Sequence, residues 1–238
     1  MKGIILAGGA GTRLHPLTKI TSKQLLPVYN KPLIYYPLET LIRAGIKDIL
    51  IIIAPDNAGD FLNLLGSGKE FGIKITYEIQ DKPEGIAQAF LIGENFIGHD
   101  NVTLILGDNV FEDDFSKNIK NFKTGAKIFT KEVKDPERFG VVEFDENQKV
   151  ISLEEKPKNP KSSFIQTGLY LCDNSVIYKT KNLKPSARGE LEMTDLMTTY
   201  LTEDVLGVEF VEGEWFDTGT HEALFQASAH IRKKCINS

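Results

Sequence analysis

The chain has 238 residues, 41% of them hydrophobic and 26% charged, with a formal net charge of -5 at pH 7. That length supports one large α/β domain or two small ones around a sizeable core, and the acidic balance argues against a general nucleic-acid or membrane-surface role, since no basic excess exists to neutralise a polyanion. Cys172 and Cys235 lie far apart without Cys-x-x-Cys spacing, the four histidines make no metal pattern, and no apolar run approaches the ~18 residues of a membrane span, so the expectation is a reducing, cytoplasmic setting with two inert thiols and no zinc. The N-terminus, one lysine before a short apolar run, does not read as a signal peptide.

The run Lys2-Gly3-Ile4-Ile5-Leu6-Ala7 reads as a buried strand that empties into Gly8-Gly9-Ala10-Gly11-Thr12-Arg13. Glycines let backbone N–H groups crowd an anion, and Arg13 and Lys23 supply positive charge, so the stretch reads as a phosphate cradle. It is not a Walker loop, because no Gly-Lys-Ser or Gly-Lys-Thr occurs, and Leu14 stands where a dinucleotide fingerprint needs glycine or alanine. A tight turn after an edge strand is the alternative; it explains the glycines and leaves Arg13 and Lys23 without a role.

Residues 15 to 28 carry two prolines and form no regular element. A helical stripe runs from Pro37 to Ala44, with Gly45 as its C′ residue. Asp48 to Ile53 is a strand too uniformly apolar to have a wet face. A helix over 56 to 65, a strand over 72 to 78, a turn from Gln80 to Gly85 and a helix from Ile86 to Phe96 lead to a fourth strand, Val102 to Leu106, closed by Gly107-Asp108. This alternation predicts a parallel sheet with right-handed crossovers, whose ligands sit beyond the carboxyl ends of the strands. The glycine loop, the Gln80 to Gly85 loop and Asp108 all follow strands and are expected to open on one crevice.

Beyond Asp113 the pattern changes. A helix near 113 to 123 is followed by strands at 126 to 133, 140 to 144, 150 to 153 and 164 to 171, helices near 174 to 181 and 191 to 202, a strand at 207 to 211, and a last helix with Leu224, Ala227 and Ile231 on one face. With no linker, repeat or low-complexity tract, the expectation is a single domain, residues 1–112 forming a nucleotide half and 113–238 a sugar-phosphate half of mixed strands.

Gly8-Gly9-Ala10-Gly11-Thr12-Arg13-Leu14, Lys23-Gln24-Leu25-Leu26-Pro27-Val28, Lys31 to Leu38, Gly107-Asp108-Asn109, Arg138 to Val142, Glu154-Glu155-Lys156-Pro157 and Trp215-Phe216-Asp217-Thr218-Gly219 stand in order along nearly the whole chain. Together they resemble the sugar-1-phosphate nucleotidylyltransferases, most closely those acting on dTTP and glucose 1-phosphate. The resemblance implies an α/β fold, a Rossmann-like three-layer sandwich with a mostly parallel central mixed sheet. It implies attack of glucose 1-phosphate on a nucleoside triphosphate, giving a nucleoside diphosphate sugar and pyrophosphate. The residues suit that chemistry: a sugar phosphate with a second pKa of ~6 is already anionic at neutral pH, so no general base is needed. What is needed is cations and placement.

By the family pattern, Gly8, Gly9, Gly11 and Thr12 approach the nucleotide, Arg13 and Lys23 hold the triphosphate, and Gln24, Gln80 and Gly85 meet the base. Lys156 grips the sugar phosphate, while Asn109, Gly140, Glu155 and Gln166 meet the sugar. Asp108 and Asp217 hold one Mg²⁺. Bland alternatives stand beside these roles. Asp108 suits a helix cap, Asp217 an Asx turn, Lys156 with Glu155 a surface ion pair, and Phe139 and Trp215 simple core aromatics. UTP in place of dTTP is the nearest alternative. A sensor without turnover is disfavoured, because Arg13, Lys23, Asp108, Lys156 and Asp217 are all present.

The sequence departs from the family pattern at Gln166, where a small apolar residue is common, and at Phe139, where tyrosine is common. Longer bacterial members continue past Ser238 into a helical extension that helps form a regulatory nucleotide site. The expectation is therefore weak or absent feedback through that site, with homo-oligomers formed through other surfaces.

Overall fold

A computed structural model describes residues 1–237. The chain forms two compact units, each discontinuous in sequence: Gly3–Lys82 with Ile105–Lys120 and the residues from Gly213 on, and Met1–Lys2 with Pro83–Leu104 and Asn121–Glu212. Elements are numbered along the chain.

The first unit is built on β1 (Lys2–Ala7), β4 (Asp48–Ile53) and β5 (Lys74–Ile79). β1 pairs with β4 in parallel, Gly3 opposite Ile49 and Ala7 opposite Ile53, and β4 pairs with β5 in parallel, Asp48 opposite Lys74. β6 (Val102–Leu106) is the neighbour of β1, and its end lies in this unit, where Gly107 N–H donates to Leu6 O at 2.9 Å. Ile49, Leu50, Ile51 and Ile52 are all fully buried, as expected of a strand covered on both faces.

Helix α1 (Tyr35–Arg43) begins two residues before Pro37, which sits in the first turn where its missing N–H costs nothing. Gly45, at φ 84°, closes it: Gly45 N–H donates to Ile42 O and Ile46 N–H to Leu41 O, a Schellman cap. The helix expected over 56 to 65 opens with a 3₁₀ turn at Pro55–Asn57 and continues as α2 (Ala58–Leu65). The irregular stretch contains 3₁₀ turns at Thr12–Leu14, Leu17–Lys19 and Lys23–Leu25, then the ribbon of β2 (Pro27–Val28) and β3 (Lys31–Pro32). The helix near 113 to 123 is shorter, α5 (Ser116–Asn121), because the Asp114 carboxylate accepts the Ser116 N–H and starts it there.

Two strands were too short to read from pattern: β7 (Asn109–Phe111) and β13 (Trp215–Asp217), an antiparallel pair that sets Asn109 opposite Asp217. The last helix, α8 (His221–Asn237), packs Leu224, Ala227 and Ile231 with Phe216 against Val28, Leu33, Tyr36 and Val110, the face expected. Its far end is pinned by Glu112, which accepts from His230 Nε2 and Lys234 Nζ, each at 2.7 Å. Burial pushes the Glu112 carboxyl up, and the bonds from Lys234 and His230 outweigh it, bringing the group down to about 2. A carboxylate with a lowered folded-state pKa stabilises above its ordinary range and ceases to do so as pH falls through the lowered value. Glu112→Gln is thus expected to lower Tm at pH 7, with the difference from the parent narrowing as pH falls from 4.5 toward about 2, measured by thermal melts across pH.

The second unit holds α3 (Gln88–Ile92), α4 (Glu94–Ile97) and the start of β6, with Lys2 N–H donating to Asn101 O. A single helix was expected over 86 to 96; Gly93 interrupts it, as a residue with no side chain to hold the helical conformation. The rest is the mixed set expected: β8 (Ala126–Glu132), β9 (Gly140–Phe144), β10 (Val150–Glu155), β11 (Phe164–Cys172) and β12 (Leu206–Phe210), with α6 (Ser175–Lys181) and α7 (Met193–Thr202). β11 is antiparallel to β8 and β9, β10 is antiparallel to β9, and β12 is parallel to β8. Ile128, Phe129, Val142, Ile165, Leu196 and Met197 fill its core. Cys172 is buried and Cys235 exposed, both unpaired, and burial pushes the Cys172 thiol up. Among the described residues no helix is long and apolar enough to cross a membrane.

Candidate active site

In the first unit, β1 delivers the chain into the glycine loop. A Cβ on Gly8 would lie 2.1 Å from Gln80 Oε1, so only glycine lets the buried Gln80 amide rest against the loop. Gly9 is exposed, with nothing within 4 Å of where a Cβ would stand, which makes it the open side of the loop. Gly11, at φ 61°, turns the chain, and its carbonyl accepts from Thr18 Oγ1 at 2.7 Å. Leu14, the residue that broke the dinucleotide pattern, is fully buried and anchors the 3₁₀ turn that leaves Thr12 and Arg13 exposed. The Arg13 guanidinium passes so close to Gly219 that a Cβ there would lie 3.0 Å from it.

Lys23 and Asp108 form an ion pair, Nζ donating to Oδ2, with both side chains only 12% exposed. Burial pushes the Asp108 carboxyl up; the Lys23 charge and hydrogen bond, with the Asn109 amide, outweigh it and hold the group below the ordinary carboxylate value. Asp108 caps no helix: it sits in the turn between β6 and β7, and its carbonyl accepts from Thr218 N–H at 3.0 Å and Thr218 Oγ1 at 2.8 Å. Those bonds and the β7/β13 pairing bring Asp217 to the same strand ends as Asp108. Asp217 does close an Asx turn, Oδ1 accepting from Gly219 N–H at 3.2 Å. Asn109 uses its amide within this unit, Nδ2 donating to Asp108 Oδ1 at 3.1 Å and Oδ1 accepting from Trp215 Nε1 at 2.7 Å, so Trp215 is a hydrogen-bonding strut and not only an apolar filler. Gln24 is buried, its Oε1 accepting from Ser22 Oγ at 2.6 Å.

Among the described residues no three or more His, Cys, Asp or Glu side chains converge as a metal-binding group. Asp108 and Asp217 nonetheless fit a hard divalent cation. They offer two carboxylates, the first of them held anionic, and leave other positions to phosphate oxygens and water.

In the second unit, β-sheet register gathers a polar cluster. Glu155 at the end of β10 stands opposite Gly140 at the start of β9, and Ile165 opposite Val141 brings Gln166 alongside. Thr194, from α7, donates to Glu155 Oε2 at 2.5 Å and accepts from Gln166 Nε2 at 3.1 Å. Arg188 donates to Glu155 Oε1 at 3.2 Å and to both Glu192 carboxylate oxygens at 2.8 Å. Lys156 does pair with Glu155, at 3.3 Å, and its backbone is held at φ 45°, an uncommon conformation for a lysine. The half-buried Phe139 lies under the Arg138 guanidinium, 5.2 Å from ring centre. Gly85, at φ 107°, has its open side filled by main chain: a Cβ would lie 2.4 Å from Leu191 O. Thr194 and Arg188 escaped the sequence reading; their only local signal was the run Arg188-Gly189-Glu190-Leu191-Glu192 before a helix.

The family model for nucleotidyl transferases matches residues 2–234. The chain is 55% identical to a glucose-1-phosphate thymidylyltransferase of Neisseria meningitidis over 98% of its own length and 83% of the relative's. It is 53% identical to one of Mycolicibacterium smegmatis, over 98% of this chain and 82% of that one. A crystal structure from Bacillus anthracis assigned to the same activity, with sucrose bound, superposes with a TM-score of 0.92 at 51% identity, covering 98% of this chain and 95% of the other. A UDP-glucose pyrophosphorylase with UDP-glucose bound superposes at 0.86 with 24% identity over 98% of each chain, a likeness of fold alone. The expected α/β class, with its mostly parallel mixed sheet, is thereby shared with solved nucleotidyltransferases. Matched by the family's model over residues 2–234, and half or more identical to relatives along nearly all of its length, the chain belongs to the nucleotidyl transferase family.

Proposed function

We propose that the protein transfers a thymidylyl group from dTTP to glucose 1-phosphate, releasing pyrophosphate and forming dTDP-glucose. The observation that supports this most is the pairing of Lys23 with Asp108, and the arrival of Asp217 at the same strand ends as Asp108, in the unit that carries the glycine loop. It occurs in a chain half or more identical to glucose-1-phosphate thymidylyltransferases.

A phosphate oxygen of glucose 1-phosphate, anionic at neutral pH, attacks the α-phosphorus; the bond to the β-phosphate oxygen breaks in line, and both electrons leave with pyrophosphate. No side chain has to take a proton. Gly8, Gly9, Gly11 and Thr12 cradle the nucleotide, and Arg13 and Lys23 offset the charge that grows on the leaving group. Gln24, Gln80 and Gly85 border the base. Lys156 binds the phosphate of the sugar, and Asn109, Gly140, Glu155 and Gln166 hold the hexose. Asp108 and Asp217 would hold Mg²⁺, which when bound draws charge from phosphate oxygens. The same reading carries a cytoplasmic homo-oligomer with no nucleic-acid or membrane partner.

The test is a pyrophosphate-release panel of dTTP, UTP, CTP, ATP and GTP against glucose 1-phosphate and galactose 1-phosphate in Mg²⁺. dTTP with glucose 1-phosphate is expected to give the highest kcat/KM. Higher turnover of UTP would make the protein a uridylyltransferase, and no release from any pair would overturn the proposal.

A further inference from the structure

We infer that Lys23 and a divalent cation compete for Asp108: the ammonium that neutralises this carboxylate must leave before a cation can bind there, and once off it is free to meet phosphate. This rests on the roles proposed above for the two residues and goes on to say how they are linked.

Both oxygens of the Asp108 carboxylate are engaged. Oδ2 accepts from Lys23 Nζ and Oδ1 from Asn109 Nδ2 at 3.1 Å, and the Lys23 and Asp108 side chains are each 12% exposed. A divalent ion on Asp108 would stand close to that ammonium, with little water between to screen the repulsion. The carboxylate therefore serves one positive partner or the other.

Lys23 can leave without unfolding anything. Its backbone belongs to the 3₁₀ turn Lys23–Leu25, closed by Leu26 N–H to Lys23 O at 3.1 Å. The buried Gln24 anchors that turn, through its bond from Ser22 and through Gly107, where a Cβ would lie 3.0 Å from Gln24 Cγ. With the root of Lys23 fixed, its four-carbon stem can still swing. A Cβ on Gly11 would lie 3.2 Å from Lys23 Cβ, so that root stands against the glycine loop, the surface offered to phosphate.

The second carboxylate has a cation beside it too. Where a Cβ would stand on Gly219, Arg13 Nη2 is 3.0 Å away and Asp217 Oδ1 3.2 Å. These four side chains balance, two positive against two negative. A cation or a triphosphate arriving alone upsets that balance, and the two arriving together restore it, as Asp108 changes partner to the cation and Lys23 to phosphate. Each is thus expected to favour the other's binding, by reciprocal linkage.

The experiment titrates the nucleotide-free protein with Mn²⁺ alone, read by electron paramagnetic resonance. Lys23→Met should bind Mn²⁺ at least about tenfold more tightly than the parent, although it removes a residue of the proposed site. Lys23→Arg, which keeps the charge, should stay within about twofold of the parent, and adding Asp108→Asn to Lys23→Met should abolish the gain. The inference is overturned if Lys23→Met binds Mn²⁺ no more tightly than the parent, if Lys23→Arg gains as much, or if the gain survives loss of the Asp108 charge. A second measurement reads Lys23 in the parent: acetylation of its amine, followed by mass spectrometry, should run at least about threefold faster in Mg²⁺ than in NaCl of equal ionic strength. No acceleration overturns the inference, and this measurement decides alone if Lys23→Met fails to fold. None of these readouts needs turnover. Tighter Mn²⁺ binding in Lys23→Met without pyrophosphate release from the parent upholds the competition while the reaction falls, and release without that gain removes the competition alone.

Discussion

Asp217→Asn is expected to lower pyrophosphate release by about a thousandfold while moving Tm by less than about 2 °C. The separation comes from what the Asp217 carboxylate does in the folded chain. Its Oδ1 accepts the Gly219 N–H at 3.2 Å. The amide oxygen of asparagine takes that bond as well, so the turn survives while the charge is lost. That charge is what the proposed cation site needs. Steady-state pyrophosphate assays beside thermal melts give both readouts. Full activity at saturating Mg²⁺ would remove Asp217 from the site, and a large fall in Tm would make its role structural.

Asp108→Asn should behave differently, losing activity and stability together. Here the carboxylate is buried against Lys23, each side chain 12% exposed. Removing one charge of a buried pair leaves the other without compensation, a cost of about 3 kcal/mol, or roughly 6–12 °C in Tm for a chain of this size. The pH dependence follows from the lowered Asp108 pKa, with burial opposing and Lys23 prevailing. A carboxyl lowered on folding stabilises at pH values above its unfolded pKa and loses that contribution as pH falls through the folded one. The gap in stability between parent and variant should therefore be complete above pH 3.8 and close only at pH values beneath it. Urea melts at several pH values measure it. A gap that closes near neutrality would mean that the pair is not what the carboxylate contributes.

Much of the scaffold is local in origin, and so could be read locally. β4 needs only an unbroken apolar run between polar ends, and Gly45 only a position where the chain must turn left-handed. α8 shows its buried face through the spacing of Leu224, Ala227 and Ile231. The glycine loop is legible for the same reason: three glycines in four positions after a strand are a local signal. Where the pattern was ambiguous, both readings can hold at once. Asp217 closes its Asx turn and still stands at the strand ends with Asp108; Lys156 pairs with Glu155 and still carries a strained backbone.

Elements of three residues carry too little periodicity to be read, and β7 and β13 are of that kind, although they set Asn109 opposite Asp217. Thr194 and Arg188 carry no motif; they matter because a helix and a loop reach Glu155 from 39 and 33 residues away. Composition and order of residues are enough to settle the longer strands, the glycine loop and the family pattern, since each depends on neighbours in the chain. Folding alone decides that Lys23 spends its charge on a carboxylate 85 residues distant, that Gly85 yields to the main chain of Leu191, and that Thr194 ties Gln166 to Glu155, because burial and pairing belong to segments that meet only after the chain has returned on itself.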